Sequence, residues 1–134
     1  MRGAIFAATA TVILLAGCTS DPTEELTGCF SMSSSTDRPT IQITEDDDKY
    51  LLSTRNDGMW SAAQPLAAAD SALIQQIFGA DAAKVKAGLG LPDRSVTLFK
   101  LEAGEKIAGG TADSGFIGAF FFGTGQVYKT DSCD

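Results

Sequence analysis

Thr40-Ile41-Gln42-Ile43-Thr44, then Glu45-Asp46-Asp47-Asp48-Lys49, then Tyr50-Leu51-Leu52-Ser53-Thr54-Arg55: this stretch decides the fold class. In the first segment apolar and polar residues alternate, so Ile41 and Ile43 share one face of an extended strand and Thr40, Gln42 and Thr44 the other. A second strand-like segment follows after a short acidic connection, which reads as the charged tip of a hairpin. In the returning strand Tyr50, Leu51 and Leu52 compete for the buried face. Asn56-Asp57-Gly58 closes it as a turn, with Gly58 free to take positive φ at no steric cost.

Working outward, Gly28 to Ser33 alternates with Cys29 and Ser31 on one side and Phe30 and Met32 on the other, as expected of a first strand. It loses order in Ser33-Ser34-Ser35-Thr36. Ala62 to Ala69, broken by Pro65, shows no preference. Asp70 is placed to cap a helix, because Leu73, Ile74, Ile77 and Phe78 follow at helical spacing and Gly79 ends the series. Asp81 is expected to cap a second short helix that carries Val85 and Leu89 and stops at Gly88, Gly90 and Pro92. Strands return at Ser95 to Leu101 and, after turns at Gly104, Gly109 and Gly110, at Phe116 to Phe122 and Gln126 to Lys129. Phe116 to Phe122 is too short to cross a bilayer as a helix. It reads as a buried strand, with the lining of an apolar ligand site as the alternative. The architecture expected is α+β: a curved antiparallel sheet or small partly closed barrel, with one or two short helices inserted mid-chain.

The chemistry narrows as well. The chain has no histidine, which removes the commonest general base and metal ligand. It has no Gly-x-Ser-x-Gly, no Cys-x-x-Cys and no phosphate-cradling glycine loop. Its carboxylates sit in loops rather than against apolar walls that would raise a pKa, so no catalytic residue, cofactor or metal is expected. Glu45, Asp46, Asp47 and Asp48 are carboxylates of the kind calcium takes, but they lack the spaced ligand pattern and read as a solvated tip. Trp60, the only tryptophan, is expected to pack at the edge of the core, with a contact anchor as the alternative.

Ahead of all this, Arg2 supplies a positive charge and Ala4 to Leu15 form an apolar stretch that ends in Leu15-Ala16-Gly17-Cys18. As a helix those twelve residues span about 18 Å, short of a hydrocarbon core of roughly 30 Å. The segment resembles the signal peptide and lipobox of bacterial lipoproteins. The resemblance implies cleavage before Cys18 and acylation of that cysteine. Residues 1–17 are then a removed signal, 18–27 a lipidated cysteine and flexible tether, and 28–134 a single globular periplasmic domain. Thr19, in place of the aspartate that commonly retains such proteins at the inner membrane, implies the periplasmic face of the outer membrane in a Gram-negative cell. Once Cys18 is acylated, Cys29 and Cys133 remain in a compartment where disulfides persist, and a bridge between them would make the first and last elements neighbours.

Removal of residues 1–17 takes away Arg2 and leaves nine basic against 17 acidic side chains, a formal balance of −8. That excludes nucleic acid as a natural partner and permits a cationic one. The make-up is similar to that of membrane-bound lysozyme inhibitors. The implied function is a lipid-anchored binding or interaction protein without catalytic activity, one that neutralises a cationic cell-wall-active enzyme. The entry pattern of glycine, aromatic residue and two hairpin strands also resembles small lipocalin-like lipoproteins, over about the first forty mature residues. That likeness implies the alternative, a carrier of a small apolar ligand with Phe116, Ile117, Phe120 and Phe122 near its cavity.

Overall fold

The computed structural model describes residues 21–134, so the signal segment and Cys18 lie outside the described residues. Strand β1 spans Gly28–Ser31, β2 Ile41–Asp46, β3 Lys49–Asn56 and β4 Met59–Trp60. The expected hairpin is present: Ile41 faces Thr54, Ile43 faces Leu52 and Asp46 faces Lys49, all antiparallel. Its tip is only Asp47-Asp48, with φ of 51° and 63°. Two residues of positive φ form the hairpin turn whose twist matches that of the strands, and aspartate tolerates that conformation. Leu52 settles the competition for the buried face at 2 % exposure, while Tyr50 packs at the margin of the core. Asp57-Gly58 makes a second such turn, which brings Trp60 opposite Arg55.

Beyond β4 the segment read as featureless is a connector between sheets. β5 (Gln64–Pro65) pairs with β3, and β6 (Ala67–Ala68) pairs with a strand of the second sheet. Leu66, between them, donates its N–H to the Tyr50 carbonyl and packs into the core. Helix α1 (Ser71–Phe78) follows as expected, its first turn capped by Asp70 Oδ1, which accepts the Leu73 N–H at 2.8 Å. A 3₁₀ segment continues over Gly79–Lys84.

The remaining strands are β7 (Ala87–Gly90), β8 (Val96–Lys100), β9 (Glu105–Ile107), β10 (Gly110–Ala112), β11 (Phe116–Phe120), β12 (Gly123–Gln126) and β13 (Tyr128–Lys129). The second helix was expected to carry Leu89 and stop at Gly88. Instead Gly88-Leu89-Gly90 is strand. Here tertiary packing overrides the usual reading of glycine as a terminator, because a Cβ on Gly88 would lie 2.8 Å from both the Ala69 Cβ and the Phe99 ring.

Sheet one runs β13-β1-β2-β3-β4, with β5 also on β3; sheet two runs β12-β11-β8-β7-β6; β9 and β10 form a separate hairpin. Between the sheets lies a core of Leu26, Phe30, Ile41, Ile43, Leu52, Leu89, Leu98, Phe116 and Val127. A second core of Phe78, Phe99, Leu101, Ala112 and Ile117 fills the other face of sheet two, under α1, the 3₁₀ segment and Ile107. Sheet two is therefore covered on both faces, and strands buried on both faces read as continuous apolar runs. Phe116 faces one core and Ile117 the other. The α+β class holds, as layers of antiparallel sheet and one short helical insertion. The barrel does not: the strands divide into separate sheets, and no closed barrel forms among the described residues.

Candidate functional sites

The acidic hairpin is the most distinctive surface. Glu45, Asp46, Asp47 and Asp48 are all exposed, and the chain entry folds back beside them. Thr19 to Leu26 reads as a flexible tether, yet its described part is ordered. Asp21 Oδ1 accepts the Thr23 N–H at 2.9 Å, Glu24–Leu26 form a 3₁₀ turn, and Leu26 is completely buried. The tyrosine at the foot of the hairpin registers the resulting cluster. Burial pushes the Tyr50 hydroxyl pKa up, and the carboxylates of Glu45, Asp21, Glu24 and Asp48 push it further. Among the described residues, none of the ion pairs involves these six acids; they are Lys84 with Asp81 and Glu105, Lys86 with Glu102, and Arg94 with Asp70. Nor do three His, Cys, Asp or Glu side chains converge in a metal-holding geometry among the described residues.

Cys29 and Cys133 form a disulfide, with Cα atoms 5.4 Å apart. Strand β1 pairs with β13 next to it, Phe30 facing Lys129, so the first and last strands are neighbours. Thr130 closes the end by donating its N–H to the Cys29 carbonyl at 2.8 Å. The backbone carbonyl of Cys133 in turn accepts from Arg55 Nη2 at 2.7 Å. The Arg55 guanidinium lies 4.4 Å from the Trp60 ring centre, a cation–π contact that explains why Trp60 is half-buried at the sheet edge. Arg55 Nε and Nη1 are buried and have no hydrogen-bond partner among the described residues.

A cleft of about 560 Å³ opens on the helix side of sheet two. Ile77, Phe78 and Ile117 make its apolar floor, while Asp81, Gln126 and Tyr128 stand at its polar wall. Asp81 does not cap a helix. Its Oδ2 accepts the Ala108 N–H at 2.8 Å and its Oδ1 pairs with Lys84 Nζ at 3.0 Å, tying the β9–β10 loop to the helical segment. Those contacts, the Ala108 N–H first, hold its carboxyl below the usual carboxylate range. Of the four residues expected near an apolar cavity, only Ile117 lines this cleft. Phe116 belongs mainly to the inter-sheet core, Phe120 to its margin, and Phe122 is exposed.

Phe121 and Phe122 were expected at the end of a buried strand. Register overturns this: Phe120 pairs with Gly123, so Phe121 and Phe122 are the two residues of the β11–β12 turn. Composition cannot reveal a turn inside an apolar run; Gly123, at φ 136°, is the only local signal.

Comparison with protein-family models, curated proteins and solved structures finds no match to this chain.

Proposed function

We propose that the chain is a lipid-anchored interaction protein of the bacterial envelope. It has no catalytic activity and neutralises a cationic cell-wall-active enzyme held on its acidic hairpin face. The anchor is Cys18, within Leu15-Ala16-Gly17-Cys18, at the periplasmic face of the outer membrane in a Gram-negative host. The observation that carries the binding reading is the set of exposed carboxylates at Glu45, Asp46, Asp47 and Asp48, grouped with Asp21 and Glu24 and without ion-pair partners among the described residues. Carboxylates left uncompensated on a stiff hairpin attract a basic protein over about a Debye length and raise its encounter rate.

The test uses immobilised full-length protein and egg-white lysozyme as the cationic probe. Retention at low salt, lost at roughly 0.5 M salt and weakened at least tenfold in D46N/D47N/D48N, supports the reading. Asparagine tolerates the positive φ of Asp47 and Asp48, so the turn survives. Equal retention by the variant, or none by the wild type, refutes it. For the anchor, Cys18→Ser should yield an unprocessed, unacylated precursor by mass spectrometry, and unchanged processing would count against it.

The cleft of about 560 Å³ supports a second reading, a carrier of a small ligand with an apolar body and a polar end. It lies outside sheet two rather than inside a barrel, so a lipocalin-like calyx is not part of this reading. Organic extraction of the purified protein followed by mass spectrometry checks it; an empty extract together with no uptake of apolar dye removes it.

A further inference from the structure

Strand β12 is the outer strand of sheet two, paired with β11 on one side only. In that ladder Phe120 faces Gly123 across a two-residue turn and Gly118 faces Gly125; just beyond it Val127 donates its N–H to the Phe116 carbonyl. Antiparallel pairs alternate between bonded and non-bonded positions. Gly123, Gly125 and Val127 therefore turn their backbone groups inward to β11, and Thr124 and Gln126 turn theirs outward. No hydrogen bond among the described residues uses the backbone N–H or carbonyl of either. The edge also lacks the usual defences against an added strand. It reads Gly-Thr-Gly-Gln, without charge or proline, and its register with β11 runs on without a bulge.

Both outward residues line the cleft of about 560 Å³, and their side chains share the sheet face of Ile117 and Ala119, which they oppose in the ladder. The opposite wall is a second free edge. In the β9–β10 hairpin the same alternation turns Lys106 and Thr111 outward. Lys84 Nζ covers the β9 side by donating to the Lys106 carbonyl at 2.6 Å. On the β10 side Thr111 lines the cleft, and its backbone groups have no partner among the described residues. Gln126 Oε1 accepts the Ser114 N–H at 3.0 Å and so ties β12 to the loop after β10.

We propose that this cleft binds an extended segment of another polypeptide, added to sheet two as a strand along β12; the proposal takes from the second reading above only that the cleft holds a ligand. Outward N–H and carbonyl groups recur there every two residues, about 6.6–6.8 Å apart. The backbone of an extended chain carries its own groups at that repeat, and a compact ligand does not. Alternate side chains of the added strand fall on the helix side, where Ile77, Phe78 and Ile117 form the floor. Asp81 is the one charged residue lining the cleft among the described residues, and it is already satisfied by the Ala108 N–H and Lys84. The segment that fits is therefore uncharged and apolar at alternate positions.

The probes are acetyl-Thr-Val-Thr-Val-Thr-amide and the same peptide with Leu or Phe in place of both valines, titrated into the isotope-labelled full-length chain. Expected is saturable binding by at least one of them. Amide exchange, read by NMR, should slow about fivefold at Thr124 and Gln126, with Gly123 and Gly125, already bonded to β11, nearly unchanged. Thr124→Pro removes one outward N–H at an edge position that accepts proline, and should weaken binding about tenfold. A check that does not depend on the folding of that variant uses probes N-methylated at alternate residues, in each of the two frames. At least one frame should bind about tenfold more weakly. No saturable binding by any probe, or equal binding by both methylated frames and the parent peptide, overturns the inference. So does protection of Thr124 and Gln126 without peptide in a chain that sediments as a dimer, the mark of a second copy on this edge. A small apolar molecule in the organic extract with no peptide binding overturns it and leaves the second reading standing. Peptide binding with the Thr124–Gln126 protection pattern and an empty extract supports it and refutes the small-molecule carrier.

Discussion

Removing the Cys29–Cys133 link, by the double substitution Cys29→Ala and Cys133→Ala or by reductant, should cost a large share of the domain's stability. The two cysteines are 104 residues apart, nearly the whole described chain. Closing a loop of that length in the unfolded ensemble corresponds to about 4.7 kcal/mol in the chain-entropy model, and typical measured effects are about 2–4 kcal/mol. Against the roughly 5–15 kcal/mol that holds a domain of this size, the loss is severe. Beyond β13, which is two residues long, the chain is otherwise held by Thr130 on the Cys29 carbonyl and by Arg55 on the Cys133 carbonyl. Trp60 is the assay's reporter, since it is the only tryptophan and lies under the Arg55 guanidinium. Guanidinium unfolding followed by its fluorescence should show a midpoint lower by about 1 M in the double variant, for a slope of roughly 3 kcal/mol per M. Reductant should do the same to the wild type while leaving the Cys29 side chain packed in place. Coincident midpoints for oxidised wild type, reduced wild type and double variant would refute the reasoning.

Gly88→Ala sets a methyl group 2.8 Å from both the Ala69 Cβ and the fully buried Phe99 ring, so about 1–3 kcal/mol of overpacking is expected. It should appear as a melting temperature several degrees lower, and an unchanged melt would contradict the layered packing described. Asp81→Asn removes a carboxylate whose folded pKa is depressed by the Ala108 N–H and Lys84. A depressed acid contributes stability above its unfolded value, about 3.9, and loses it as pH falls through the folded one. The wild type should therefore lose more stability than the variant on acidification below about pH 4, and Ala108 amide exchange should quicken in the variant at neutral pH. Superimposable acid-unfolding curves would reject that role.

Much of the fold was legible where side-chain pattern and local chemistry agree. Ile41 and Ile43 alternate with polar neighbours and face inward; Asp70 caps the helix that Leu73, Ile74, Ile77 and Phe78 announce; Cys29 and Cys133 bridge. Illegible were the elements set by backbone pairing alone. Ala67 and Ala68 carry no strand signal, yet they hydrogen-bond along β7 because Leu66 is drawn into the core. Gly88 and Gly90 read as breaks, whereas they are small because Phe99 and Thr97 fill the space a side chain would take. Asp81 and Ala108 meet across 27 residues, which no local pattern encodes. The acidic hairpin was plain in the sequence. The aromatic turn was hidden inside a run whose composition matches a buried strand.

β1 has β13 as its outer neighbour, and that neighbour is made only after nearly all the other described strands. Throughout synthesis and any passage through a pore, β1 therefore presents a bare rim able to pair with foreign chains. Only the arrival of Tyr128 and Lys129 seals it. The sulfur link then fastens this late partner to β1, and products that stop short of it would be left open to aggregation and proteolysis.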